Sequence, residues 1–156
     1  MMKIDLKNQE YACCSVIPYA MVDHMVNMFM DILNSIIRTN GTPIDPNDVE
    51  AFLQNTEKVL HPNHYLRLIA KRYLVQLLPH NDSKKLEFCQ DILETFNVLD
   101  AGLSHSRGMT IYEMFKATNN TKLLDEVLQC LHMEPPDSIA GKAYAQAAMI
   151  LKSSRK

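Results

Sequence analysis

The sequence predicts an all-α protein, an antiparallel array of about seven helices packed as a bundle or as a curved stack of helix pairs. Apolar residues recur at three- and four-residue steps along almost all of residues 15–152. Start and stop residues such as Asp45-Pro46, Asn40-Gly41 and Ala101-Gly102 punctuate those stripes. No strong alternation of apolar and polar residues, as in a half-buried strand, appears between them. With 156 residues, 47% hydrophobic and 22% charged, the chain has the balance of one globular domain with its own core. Disorder throughout is excluded.

The first helix is expected from about Ser15 to Arg38, with Met21, Met25, Met28, Ile32, Ser35 and Ile36 as its stripe. The second opens with Asp45 as N-cap, Pro46 in the first turn and Asp48 near the positive end of the dipole. Its inner residues are Val49, Phe52, Leu53, Thr56, Val59 and Leu60. After the break at His61-Pro62-Asn63, a third helix carries Tyr65, Leu66, Ile69, Tyr73, Val75, Leu77 and Leu78 up to Pro79. Ser83 or Asp82 caps a fourth, with Leu86, Cys89, Leu93, Phe96 and Leu99 along one face and Gly102 as the left-handed residue that closes it. A fifth spans about Ser106 to Thr118, with Met109, Tyr112 and Phe115 inward. A sixth covers about Thr121 to His132 with Leu124, Val127, Leu128 and Leu131, and a seventh covers about Ser138 to Lys152 with Ala143, Tyr144, Ala147, Ala148 and Leu151.

The connections are short and rich in Pro, Asn, Asp and Gly, as between antiparallel neighbours. The expected organisation is therefore a segment 1–14, one helical domain 15–152 and a tail 153–156. Pair-sized spacing gives the array a TPR-like, superhelical or bundle character, although the tetratricopeptide motif is absent at its period of roughly 34 residues. That similarity is architectural only.

Composition removes several function classes. Sixteen Lys and Arg against eighteen Asp and Glu give a net charge of -2, so no global positive field gathers nucleic acid or an anionic membrane. The most apolar stretch, Ser15 to Ile37, carries Asp23, His24, Asn27, Asp31 and Asn34, too many polar groups for a membrane span. Cys13, Cys14, Cys89 and Cys130 show no CxxC spacing and follow no secretory leader, which points to a reduced, intracellular setting, cytoplasmic or nuclear. They read as buried or bystander thiols. The four glycines cannot spell GxGxxG or GxxxxGK[ST], so no glycine loop cradles phosphates, and no cofactor is expected.

His61 and His64 form an HxxH spacing, but Pro62 and Asn63 lie where a metalloprotease needs a Glu general base. The expected roles are ending one helix for His61 and packing or capping the next for His64; a metal sensor using both and a thiol is a third, weaker reading. No metal ligand is assigned. Ser104, His105, Ser106 and Arg107 lack the GxSxG elbow and read as a helix-joining turn. The cluster of Met21, Met25, Met28 and Met30 on the first helix is expected in the core, with an exposed partner seam as the alternative. Lys71, Arg72, Lys84 and Lys85 are expected on a solvated face that could meet an acidic segment. Arg107, Lys71 and Arg72 are the candidate partner-binding residues; no catalytic residue is assigned.

From Asp45 onward the order of several strings resembles one family. These are Val59-Leu60-His61-Pro62-Asn63-His64-Tyr65-Leu66, then Lys71 and Leu74, then Lys85-Leu86-Glu87-Phe88-Cys89. Further on come Leu99-Asp100-Ala101-Gly102-Leu103-Ser104-His105-Ser106-Arg107-Gly108, Ile111-Tyr112-Glu113, and Leu131-His132-Met133-Glu134-Pro135-Pro136-Asp137-Ser138. They are similar to the C-terminal helical region of arthropod msta-type SET and MYND (SMYD-like) proteins, over roughly two thirds of the chain. Ala101 stands where that pattern has proline, and His105 where it has a basic or apolar residue. The resemblance implies a parent with a SET methyltransferase core that binds S-adenosylmethionine, an inserted MYND zinc module and a C-terminal helical array. Neither the NHSC-type motif nor the MYND cysteines can be found here, so no family catalytic or zinc residue transfers to this chain. The expected function is a noncatalytic interaction module for a protein or peptide, the SET core itself being one candidate partner. The alternative is an accessory part of a protein-lysine methyltransferase, active only with a SET core.

Overall fold

A computed structural model describes residues 19–38, 43–99 and 102–154. Among them lie seven α-helices and no strand: α1 (Tyr19–Ile37), α2 (Pro46–Asn55), α3 (Tyr65–Leu77), α4 (Ser83–Leu99), α5 (His105–Thr118), α6 (Leu124–Leu131) and α7 (Ile139–Ser154). A short 3-10 turn, Thr121–Leu123, leads into α6. The expected all-α array is the observed architecture. No helix among the described residues is long and apolar enough to cross a membrane. The expected start at Ser15, the Asn40-Gly41 stop, Cys13, Cys14 and the Asp100-Ala101 pair before Gly102 lie outside the described residues.

Local chemistry sets most helix starts. Asp45 accepts a hydrogen bond from the Asn47 N–H at 2.9 Å, with Pro46 in the first turn where its missing N–H costs nothing. Asp82 does the same for Lys84 at 2.9 Å, and Ser138 Oγ accepts from Gly141 N–H at 2.9 Å. α5 ends on Asn119 in the left-handed region, φ 53°. The second helix is shorter than its apolar stripe. It stops at Asn55, where the buried Thr56 hydroxyl donates to the Phe52 carbonyl at 2.8 Å and Arg67 Nη1 donates to the Leu53 carbonyl at 2.7 Å. A guanidinium from α3 thus satisfies the end of α2, and the chain turns away, leaving Val59 exposed and Leu60 buried.

Consecutive helices pack on each other from α1 to α7. In addition α1 touches α3, α3 touches α5, and α5 touches α7, while no comparably extensive contact joins α2 to α4 or α4 to α6. The odd helices form one continuous layer and the even helices a second, more open one, the arrangement of stacked helix pairs. Three apolar clusters run along the stack. Leu33, Phe52, Leu66 and Leu74 centre the first, Leu68, Val75, Cys89 and Ile92 the second, and Ile111, Leu124, Val127, Leu131 and Ala143 the third. Each fully buried Leu or Ile contributes about 1.5–3 kcal/mol. α5 comes so close to α6 that a Cβ on Gly108 would lie 2.6 Å from the Cβ of Cys130.

Two stripes differ from expectation. In α1 the buried residue is Leu33, with Val26, Phe29, Met30, Ile36 and Ile37 packed around it, whereas Met21, Met28 and Ile32 are 59, 44 and 41% exposed. In α4 the buried line is Lys85, Cys89, Ile92 and Thr95, and Leu99 is exposed. Both helices are apolar on more than one face, so their neighbours decide which face turns inward.

Cys89 sits in the second cluster, where burial pushes its thiol up to about 12 against the weaker pull of the Lys85 charge. At pH 8 on the order of one such thiol in ten thousand is ionised. Ellman's reagent added to the native protein at pH 8 is expected to leave Cys89 unlabelled until denaturant is added; labelling within the time taken by free cysteine would contradict its placement.

Candidate functional site

α3 shows a different chemistry on each side. Leu66, Ala70 and Leu74 join the cluster shared with α2, and Leu68 and Val75 join Cys89 and Ile92 of α4. A third face carries Ile69, Arg72, Tyr73 and Gln76 at i, i+3, i+4 and i+7, with Ile69 and Tyr73 also packed against the first cluster. These four line a groove of about 250 Å³. A narrow crevice continues it from Arg72 and Gln76 over Val75 and Ile92 to Met109, Thr110 and Glu113 of α5. The groove therefore lies where two members of the odd layer meet.

The three candidate cations are divided by the fold. Lys71 faces α4, its Nζ 2.9 Å from Asp91 Oδ2 and its side chain 7% exposed. Arg107 is committed within the fold: Nε donates to Glu126 at 2.7 Å and Nη1 to Asn97 at 2.7 Å, tying α5 to α6 and α4. Arg72 alone of the three lines the groove, and among the described residues its guanidinium has no hydrogen-bond or ion-pair partner. Successive residues on a helix point about 100° apart, so adjacent Lys71 and Arg72 have different fates.

Beneath the crevice is a group the charge pattern did not reveal. Lys85 is completely buried, its Nζ 2.8 Å from Glu113 Oε2, and it donates to the Leu78 carbonyl at 3.2 Å. His80 Nδ1 lies 3.2 Å from the same ammonium. Lys116 approaches the other Glu113 oxygen at 2.6 Å while standing 5.2 Å from the Tyr112 ring centre. Glu113, 9% exposed, is thus held between two ammonium groups, and the expectation that Lys71 and Lys85 lie on a solvated face does not hold. Lys85 occupies the position before Cys89 and Ile92 at helical spacing, which is the sequence signal for its direction. Exposed Lys84 pairs with Glu50 at 2.8 Å, a contact that raises its pKa.

The remaining motifs resolve into local structure. His61 Nδ1 accepts the Asn63 N–H at 3.2 Å, and His64 Nδ1 accepts the Leu66 N–H at 3.3 Å as the N-cap of α3. Burial lowers the pKa of His64, favouring the neutral ring that can accept. His61 ends no helix, since α2 stops at Asn55. Ser104 caps α5 through the Arg107 N–H at 3.3 Å, and His105 Nδ1 lies 2.8 Å from Glu134 Oε1. Among the described residues no three His, Cys, Asp or Glu side chains converge as a metal site.

No family model, curated protein or solved structure matches this chain.

Proposed function

We propose that this chain is a noncatalytic helical module that holds a protein or peptide segment in the groove of α3 and α5. The observation that carries the reading is Arg72, a partly buried cation with no partner among the described residues, flanked by Ile69 and Tyr73. A guanidinium fixed beside apolar side chains receives a carboxylate, while the neighbours take an adjoining apolar residue. The similarity of Val59 to Leu66 and of Leu99 to Gly108 to the SMYD-like pattern supports placing the module as the C-terminal array of such a protein, with a SET core as one partner. On that reading the methyl donor and its chemistry belong to the partner.

Selecting binders from a displayed peptide library tests this. The enriched peptides are expected to carry an acidic residue beside an apolar one, and Arg72→Glu is expected to weaken them at least tenfold, with recovery when the peptide acid becomes Lys. Selected peptides indifferent to Arg72→Glu would refute the groove. Methyl transfer to a protein substrate by the isolated chain would refute the noncatalytic assignment.

A further inference from the structure

The net charge of -2 conceals a division between the two layers. α3 holds three Lys and Arg, α5 two and α7 two, against a single acid, Glu113. In the even layer α2, α4 and α6 hold two, three and two acids against Lys84 and Lys85 alone. α1, at one end of the odd layer, has Asp23 and Asp31 and no Lys or Arg, so the basic run begins at α3.

Most of these cations are consumed where the layers meet, as Lys71 is by Asp91 and Arg107 by Glu126. Among the described residues the side chains of Arg72 and Lys142 have no hydrogen-bond or ion-pair partner. Lys142 is exposed and stands four residues before Gln146, on the same side of α7. Gln146 Oε1 accepts the Tyr112 hydroxyl of α5 at 2.6 Å, so that side of α7 borders α5. The short turns on either side of α6 make α5 and α7 run the same way. Met109, one turn before Tyr112, is therefore level with Lys142, one turn before Gln146. Met109 also shares the crevice with Arg72. Arg72, Met109 and Lys142 thus form a line across α3, α5 and α7, cationic at both ends and apolar in the middle. The acids nearby do not neutralise those ends: Glu113 is closed off by Lys85 and Lys116, Glu134 lies 2.8 Å from His105, and Asp137 is on the turn ahead of α7.

Packed helices stand about 8–10 Å apart, which sets α3 and α7 about 16–20 Å from each other. An extended chain advances about 3.3 Å per residue and turns alternate side chains to one face, so about six residues bridge that span with both ends pointing down. We infer that the odd layer binds an extended segment with two acidic residues about six apart, the first received by Arg72 and the second by Lys142. This rests on the Arg72 groove being the binding site and extends it to α7. A nucleic-acid strand, with a phosphate at every nucleotide, would leave most of its charges unmet on a line with cations only at its ends.

A displayed library that fixes one glutamate beside a leucine and randomises its other positions, selected against the full chain, tests the assignment. Asp or Glu is expected to be enriched five to seven residues from the fixed glutamate. Lys142→Glu, near the start of α7 where an acid suits the dipole, is expected to leave the circular dichroism spectrum unchanged. It is expected to weaken the enriched peptide at least tenfold, with recovery when the second acid becomes Lys, and to leave a peptide with Gln at that position unchanged. Lys58→Glu, exposed on the α2–α3 connection, is expected to change neither. Absence of the second acid, or indifference to Lys142→Glu in binders that still respond to Arg72→Glu, would overturn this inference and leave the groove standing. Indifference to Arg72→Glu would overturn both. Tighter binding of a single-stranded oligonucleotide than of the enriched peptide would overturn the choice of an acidic segment.

Discussion

Replacing Glu113 by Gln is expected to lower the unfolding free energy by about 3–5 kcal/mol, the cost of leaving one member of a buried ion pair without its counterion. The substitution keeps the shape of the side chain and removes only the charge. Lys116 is partly exposed and returns to water, but Lys85 is fully enclosed and keeps no counterion, only the Leu78 carbonyl, the His80 ring and the introduced amide within reach. Urea denaturation of Glu113→Gln measures the loss directly. The double variant Lys85→Met with Glu113→Leu is expected to recover much of it, since neither charge then needs compensation. A single variant that loses less than about 1 kcal/mol would show that Lys85 reaches solvent.

Gly141→Ala is expected to be nearly as damaging, at about 3 kcal/mol. A Cβ on Gly141 would run into the Pro135 carbonyl oxygen and lie 2.9 Å from the Pro136 Cα, both backbone atoms of the turn that leads into α7. Rotamer changes cannot relieve that overlap. Alanine gains about 1 kcal/mol in helix propensity over glycine, less than the overlap costs. Thermal unfolding is the check: for a chain of this size each kcal/mol lowers the Tm by about 2–4 °C. An unchanged or raised Tm would mean that α7 does not seat on the Pro135-Pro136 turn.

The helices themselves were legible because their ends are written locally. Asp45-Pro46, Ser104 and Ser138 sit within three residues of the backbone groups they satisfy, and the observed ends of α3 and the start of α7 follow the sequence closely. The early stop of α2 was not legible, because the Arg67 group that completes it lies 14 residues away from Leu53. Nor was the inward face of α1 or α4, since a helix with apolar residues on two sides contains no local instruction for choosing between them. Lysine reads as a surface residue, so Lys85 in the core becomes sensible only beside Glu113, on the next helix. For the site, the sequence placed Arg72 among three cations, and the pairing of Lys71 with Asp91 and Arg107 with Glu126 singled it out.

The layering of odd and even helices also bears on how the molecule yields to force. Among the described residues each helix leans chiefly on its immediate predecessors and successors, and no extensive contact ties one end of the stack to the other. A load applied across such a coil is shared as small tilts at successive joints, none large enough to open a cluster. The groove above α3 and α5 therefore sits over joints that can spread or tighten while the packing beneath them stays intact.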